Sequence, residues 1–307
     1  MHIPVLVSEV LGYLRPENGG WFFDGTLGDG GHSEALIRGG AKGVIATDRD
    51  LEALESTISR LKDLPVHAFH GTFDKVNEVS GQCPGVKFSG IILDLGLSSR
   101  QIANGDRGFS FQTDGPLDMR MDKSVGKITA KDIVNAWPES DLSYIFSEYG
   151  EERFSKRIAR EIVQSRSITP ITSTKVLAAI VYNAVPSSLR HGKIHPATRT
   201  FQALRIAVNE ELLLLRIGLK EMLPLLELGG RVAVISFHSL EDRIVKEAFR
   251  EWEKEGFGKR INKKPVIATE EEVSRNIRAR SAKLRIFERT HETAPSKKCI
   301  TCQQDSV

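Results

Sequence analysis

Short apolar runs alternate with amphipathic stretches through the first hundred residues. Gly20-Trp21-Phe22-Phe23 reads as a buried strand, and Glu34-Ala35-Leu36-Ile37-Arg38 as the opening of a helix. Gly43 to Thr47 is a second buried-strand run, after which Leu51, Leu54, Ile58 and Leu61 fall at helical spacing. Val66 to Phe69 and Phe88 to Leu93 read as third and fourth strands. Strand and helix in alternation predict a parallel sheet covered on both faces. The alternation stops between about Asn104 and Asn209, where helical patterns follow one another: Phe154, Ile158 and Ile162 on one face, then Ser173–Ala184 and a run from Ala197. This stretch is expected to be a helical insertion, residues 104–209, within a sheet domain built from residues 1–103 and 210–290. The sheet pattern resumes with a helix from Glu210 to Leu228, expected to end at Gly229-Gly230. A fifth strand from Arg231 to Ile235, a helix to about Lys254 and a last strand from Ala282 to Glu288 follow. Thr290 to Val307 reads as a disordered tail.

At 307 residues the chain is ample for a sizeable core, and 40% hydrophobic with 27% charged residues is ordinary for a globular protein. No apolar stretch approaches the roughly 20 residues that span a bilayer, and the N-terminus lacks the pattern of a signal peptide. Three cysteines make no disulfide framework, so a reducing cytoplasm is expected. The net charge of +3 is unevenly placed: Lys254 to Lys298 holds 13 Lys/Arg against 6 Glu, leaving the remainder near −4. Such a segment is either a footprint for a phosphate backbone or a solvated surface.

The candidate chemistry begins at Asp24-Gly25-Thr26-Leu27-Gly28-Asp29-Gly30-Gly31-His32-Ser33, a glycine-rich turn between strand and helix. That geometry turns backbone N–H groups and a helix N-terminus toward a ligand. Asp48 ends the second strand 20 residues beyond Gly28, the spacing at which a carboxylate meets a ribose hydroxyl pair. The last glycine of a dinucleotide fingerprint is replaced by Ser33. Asp24 would repel a pyrophosphate but suit the ammonium of an amino-acid moiety, which favours S-adenosylmethionine over NAD. Asp24, Asp48, Phe73 and Asp94 fall at carboxyl ends of strands, where such sheets collect ligands. The loop from Arg107 to Asp122 leaves the fourth strand beside them. Ser236, His238 and Asp242 lie too close in sequence to converge as a triad. His191/His195 and Cys299/Cys302 lack the context of a metal site, so no metal is expected. Two readings outside methyl transfer stay open here: an NAD-linked oxidoreductase, and a non-catalytic RNA-binding factor of ribosome assembly.

Several stretches together resemble one family. They are His2 to Leu6, Asp24 to Gly28, Asp94-Leu95-Gly96-Leu97-Ser98-Ser99, Arg107-Gly108-Phe109-Ser110-Phe111, Leu117 to Asp122, Tyr149 to Arg153, Thr200 to Ile206, Ser236 to Arg243 and Ala279 to Arg285. From about His2 to Arg289 the chain is similar to the RsmH (MraW) family of bacterial methyltransferases, which act on the N4 amine of a cytidine in 16S ribosomal RNA. The resemblance implies an α/β, class I (Rossmann-like) S-adenosylmethionine-dependent methyltransferase sheet with an inserted helical domain that recognises the substrate. It implies cofactor contacts at Gly30, Gly31, His32, Asp48, Phe73, Asp94 and Gln101, and the small ribosomal subunit as partner; a homodimer stays open. Asp29 and Ile277 depart from the family's usual glycine and proline. For the chemistry, Asp94 is the residue expected to serve turnover, Ser98 is expected to hold the flipped base, and Asp118 is a further candidate for the amine. Arg278, Arg280, Lys283 and the basic segment around Lys259 to Lys264 are expected to contact phosphates.

Overall fold

The computed structural model describes residues 4–83, 85–124, 128–192 and 194–291. The cysteine pair near the C-terminus, His2-Ile3 and the expected tail beyond His291 lie outside them. The strands are β1 (Trp21–Asp24), β2 (Gly43–Asp48), β3 (Val66–His70), β4 (Phe88–Asp94), β5 (Leu226–Ser236), β6 (Gly258–Arg260) and β7 (Lys283–Arg289). They form one sheet in the order β3-β2-β1-β4-β5-β7-β6. β1 to β5 are mutually parallel, whereas β7 runs antiparallel between β5 and β6. The α/β class expected from the sequence is borne out, as a class I, Rossmann-like sheet.

Before the insertion the helices are α1 (Val7–Leu14), α2 (Gly31–Arg38), α3 (Leu51–Arg60), α4 (Val76–Gly81) and α5 (Ser99–Ala103). Then come α6 (Ala130–Ala136), α7 (Glu139–Glu148), α8 (Ser155–Ile168), α9 (Thr174–Ala184) and α10 (Ala197–Asn209), followed by α11 (Glu211–Met222), α12 (Ser239–Glu255) and α13 (Glu270–Arg275). Because successive strand residues point to opposite faces, neighbours in sequence enter different cores. Phe23, Ile45 and Ile91 pack with Leu215, Leu219 and Phe249 from α11 and α12. Phe22, Val44 and Ile92 pack with Val10 and Leu36 from α1 and α2. Burial on both faces explains why these strands read as unbroken apolar runs. A third core, from Phe109 to Val208, belongs to residues 104–209 and holds α6 to α10 together.

Three sequence readings are corrected. The helix after the insertion ends at Met222 rather than at the glycine pair: Pro224, which has no N–H to continue the ladder, sits in a short 3-10 turn, Leu223–Leu225. Gly229 and Gly230 therefore lie inside β5, where the pairing with β4 shifts register. Between α12 and the last strand, where the sequence pattern predicts no element, the chain carries β6 and α13. β6 pairs over only Gly258, Lys259 and Arg260, too short for an alternating pattern to register. α1 was not anticipated either; it follows Leu6, whose left-handed backbone (φ 53°) starts the helix without a side-chain cap.

Candidate active site

The carboxyl ends of β1, β2 and β4 open onto one cleft, with the turn after β3 at its side. The loop after β1 crosses first. Gly28 and Gly30 take left-handed backbone (φ 51° and 72°), which a glycine adopts without steric cost. At Gly30 a Cβ would meet the Leu61 and Thr57 side chains at 2.7 Å, so that position shapes the loop and starts α2 rather than lining the cleft. Gly31 and His32 do line it.

Asp48 holds this loop in place. Its Oδ2 accepts the Gly28 N–H at 2.6 Å and its Oδ1 accepts the Asp50 N–H at 2.8 Å. Burial pushes the Asp48 carboxyl up to about 6, and the two backbone donors offset only part of that. Asp50 carries the arrangement onward. Its Oδ1 accepts the Ala53 N–H at the start of α3, and its Oδ2 accepts Gln101 Nε2–H at 2.9 Å while pairing with Arg107 Nη1 at 3.0 Å. Arg107 in turn donates to the Arg120 and Met121 carbonyls, tying the Arg107–Asp122 loop to the cleft. Neither Asp50 nor Arg107 was singled out from sequence, although an aspartate just before a helical pattern is an N-cap signal.

Asp94 ends β4. Its backbone N–H donates to Thr26 Oγ1 at 2.7 Å, and its Oδ2 lies 3.4 Å from His32 Nε2. Asp94 Oδ1 and both ring nitrogens of His32 are buried without a hydrogen-bond partner. Burial works against a charged imidazole, but the Asp94 carboxylate, with a smaller contribution from Asp24, raises the His32 pKa above its ordinary value. Ser98 and Gln101 form a reciprocal cap on α5: Ser98 Oγ accepts the Gln101 N–H, and Gln101 Oε1 accepts the Ser98 N–H. Phe73 forms a wall, packed so closely on α11 that a Cβ at Gly218 would touch its ring at 2.6 Å.

Three residues sit differently from the sequence reading. Asp24 is 1% exposed and faces the interior, accepting Ser33 Oγ–H at 2.6 Å and the Thr26 N–H at 3.1 Å. Burial raises its pKa, so it is a structural group and not an open anion for an ammonium. Asp118 is not brought to the cleft. Arg120 grips it through Nε at 2.9 Å and Nη2 at 2.8 Å, and this pairing lowers its pKa although burial opposes the shift. Arg278, expected on the RNA-facing surface, instead lines the cleft and donates to the Leu97 carbonyl of the Asp94–Ser99 motif.

The donor set fits S-adenosylmethionine. Half-buried carboxylates at Asp48 and Asp94 can accept from ribose hydroxyls and an ammonium, and apolar Ala53, Phe73, Leu95 and Leu97 line the same cleft. The unpartnered oxygen of Asp94 is a polar group that a ligand in this cleft, cofactor or acceptor, would satisfy. At the cleft's edge, Glu211, His238 and Glu241 come close enough to suggest a cation site. Their existing bonds show another use: Arg205 pairs with Glu211 at 2.8 Å, and Glu241 accepts the Phe237 and His238 N–H groups as it caps α12. Among the described residues, no helix is long and apolar enough to cross a membrane.

The model of the MraW methylase family matches residues 1–290. The chain is 48% identical over 306 residues to ribosomal RNA small subunit methyltransferase H of Synechococcus sp. (strain JA-2-3B'a(2-13)), covering 95% of this chain and 92% of that one. It is 48% identical to the protein of that name from Synechocystis sp. (strain ATCC 27184 / PCC 6803 / Kazusa), with 94% and 93% covered. The corresponding protein of Pelobacter propionicus is 46% identical, with 94% and 98% covered. With residues 1–290 matched and relatives 46–48% identical over nearly its whole length, the chain belongs to the MraW methylase family.

Proposed function

We propose that this chain methylates the exocyclic N4 amine of a cytidine in small-subunit (16S) ribosomal RNA, with S-adenosylmethionine as donor. The observation that carries the reading is Asp94 Oδ1, a buried acceptor without a partner beside His32 at the end of β4. Similarity over nearly the whole chain to relatives named as small-subunit rRNA methyltransferases supports the same reading. The bound cofactor supplies an electrophilic methyl group; the difficulty lies with the acceptor, because the N4 lone pair is delocalised into the cytosine ring.

Asp48 accepts from the ribose hydroxyls, Gly30 and Gly31 hold the loop and the start of α2 against the cofactor, and Phe73 and Gln101 bound its pocket. Asp94 accepts from an N4–H and so pushes electron density onto nitrogen, while placement of the amine against the methyl supplies much of the remaining rate. As the N–C bond forms, the N4 proton passes to Asp94 and on to solvent, with S-adenosylhomocysteine as the leaving product. Ser98 uses its oxygen as a helix cap and keeps its hydroxyl hydrogen for the flipped base. Asp118 acts at one remove, fixing the loop that brings Met121 to the cleft. Residues 104–209 form the substrate-recognition domain, inserted between the parts 1–103 and 210–290 of the methyltransferase domain. The substrate places the enzyme in the cytoplasm.

Small subunits incubated with methyl-labelled cofactor and digested to nucleosides should yield N4-methylcytidine. Asp94→Asn should slow single-turnover methylation by about 100-fold or more at saturating cofactor. A near-normal rate would remove Asp94 from the chemistry, and label on another nucleoside would overturn the choice of acceptor. Thermal stabilisation by NAD but not by S-adenosylmethionine would overturn the cofactor.

A further inference from the structure

The sequence concentrates positive charge near the C-terminus, yet the fold neutralises much of it internally. Lys259 pairs with Glu288 at 3.1 Å, Arg260 with Glu253 at 2.5 Å, Arg275 with Glu271, and both Lys283 and Arg285 with Asp242. Arg289 is directed at the Pro224 and Leu226 carbonyls, and Arg278 lines the cleft. Lys254, Lys263, Lys264 and Arg280 stay exposed there, but a tighter exposed basic cluster lies elsewhere.

Helix α8 buries Ile158, Ala159 and Ile162 in the core of the insertion and turns Lys156, Arg157 and Arg160 to solvent. Arg153, on the turn leading into it, is exposed and lies 5.1 Å from the centre of the Phe154 ring. Lys156 and Arg160 are four residues apart, so they stack on one face, where like charges repel. The first turn of α8 holds no acidic residue, so its cations stand at the positive end of the helix dipole instead of being offset there. Among the described residues, no carboxylate forms an ion pair with Arg153, Lys156 or Arg157, and Arg160 has only Glu139 at 3.8 Å, both exposed. A cluster that disfavours its own helix in isolation is best satisfied by an external polyanion.

The position of the cluster fits a substrate that also enters the cleft. Two residues before Arg153, Glu151 accepts from Ser239 and Arg243 at the start of α12, and its carbonyl accepts Arg199 Nη1–H at 2.7 Å. Phe237, two residues before Ser239, lines the cleft. We infer that the exposed basic face of α8, with Arg153, Lys156, Arg157 and Arg160, is the surface of this chain that grips the phosphate backbone of its RNA substrate. This inference rests on the RNA reading above and moves the electrostatic footprint from the C-terminal segment to the insertion.

The test compares two multiple variants of the full chain for binding to small ribosomal subunits between 50 and 200 mM salt. One is Arg153→Gln/Lys156→Gln/Arg157→Gln/Arg160→Gln; the other, Lys263→Gln/Lys264→Gln/Arg280→Gln, removes exposed cations of the C-terminal segment. All these side chains are exposed, and the cofactor affinity and melting temperature of each variant report whether the fold is intact. At roughly 0.7–0.9 per phosphate contact, the α8 variant should lower the slope of log K against log salt by about 3, while the C-terminal variant changes it by less than about 1. Affinity at the higher salt should fall at least tenfold for the α8 variant alone. An unchanged slope in the α8 variant overturns the assignment, most directly if the C-terminal variant flattens it instead. Methylation of the same subunits is scored in parallel. Methylation with α8-insensitive binding overturns the surface and keeps the enzymatic reading; α8-dependent binding without methylation does the reverse.

Discussion

His32 and Asp94 face each other at the floor of the cleft, 3.4 Å apart from Nε2 to Oδ2, close enough for an ion pair but not aligned as a hydrogen bond. Asp94 and Asp24 both favour the imidazolium, and they outweigh burial to raise the His32 pKa. The Arg278 guanidinium, which also lines the cleft, interacts electrostatically with Asp94. The folded state therefore holds the His32 proton more tightly than the unfolded chain, whose value is near 6.5. The stabilisation is complete below that value and is lost as pH rises through the higher folded one. Without ligand, the melting temperature should fall as pH is raised above about 6.5, and His32→Gln should flatten that part of the profile. Parallel profiles for the two proteins would sink the pairing.

Cofactor affinity should carry the signature of Asp48. Its carboxyl titrates near 6 because burial disfavours the charge, and ribose hydroxyls donate to the ionised form. Below about pH 6 the affinity should drop roughly tenfold per pH unit, since the proton must leave before the hydroxyls can be bound. Calorimetry from pH 5 to 8 reads this directly. Asp48→Ala should bind at least tenfold more weakly and lose that pH dependence.

Asp118 separates structure from chemistry. With its carboxylate in the double grip of Arg120, Asp118→Asn should cost about 1–2 kcal/mol, a few degrees in melting temperature, given that both groups are partly exposed. Single-turnover methylation at saturating substrate should stay within about threefold of the parent. A large loss of rate with an unchanged melting temperature would return Asp118 to the reacting groups.

Asn209 binds the loop and the last helix of the insertion to the sheet. Its Nδ2 donates to the Met119 and Arg205 carbonyls, its Oδ1 accepts the Met121 N–H at 2.8 Å, and its own carbonyl accepts from Arg49. Met119 is fully buried with left-handed backbone (φ 60°), a conformation that needs such outside support. Asn209→Ala strands a buried carbonyl and a buried N–H, so unfolding should become easier by about 2–4 kcal/mol in denaturant titration. A loss under 1 kcal/mol would show that the loop keeps its shape without Asn209.

Much of the sheet could be read directly, because strands buried on both faces appear as continuous apolar runs and their carboxyl ends are marked by Asp48 and Asp94. The glycine-rich loop was legible for the same reason: few other stretches tolerate left-handed backbone at both Gly28 and Gly30. Partners distant in sequence were not legible. Nothing near Asp24 announces that Ser33 will satisfy it, and Asp50 gives no hint that it will meet Gln101 and Arg107. The basic C-terminal segment misled in the same way, since its counter-charges, Asp242 and Glu253 among them, precede it on another helix. Sequence displays the charges; only the fold shows which of them cancel.

β7 enters the sheet between β5 and β6, and Arg278, just before it, reaches the Leu97 carbonyl beside Asp94. Part of the pocket's lining is thus supplied by a residue made long after the stretch from Asp24 to Asp94 that forms its floor. A nascent chain interrupted before Lys283 has every motif of the cofactor loop but neither the strand that follows β5 in space nor a secured Arg278. During translation the site therefore stays unfinished until residues near 289 clear the ribosome.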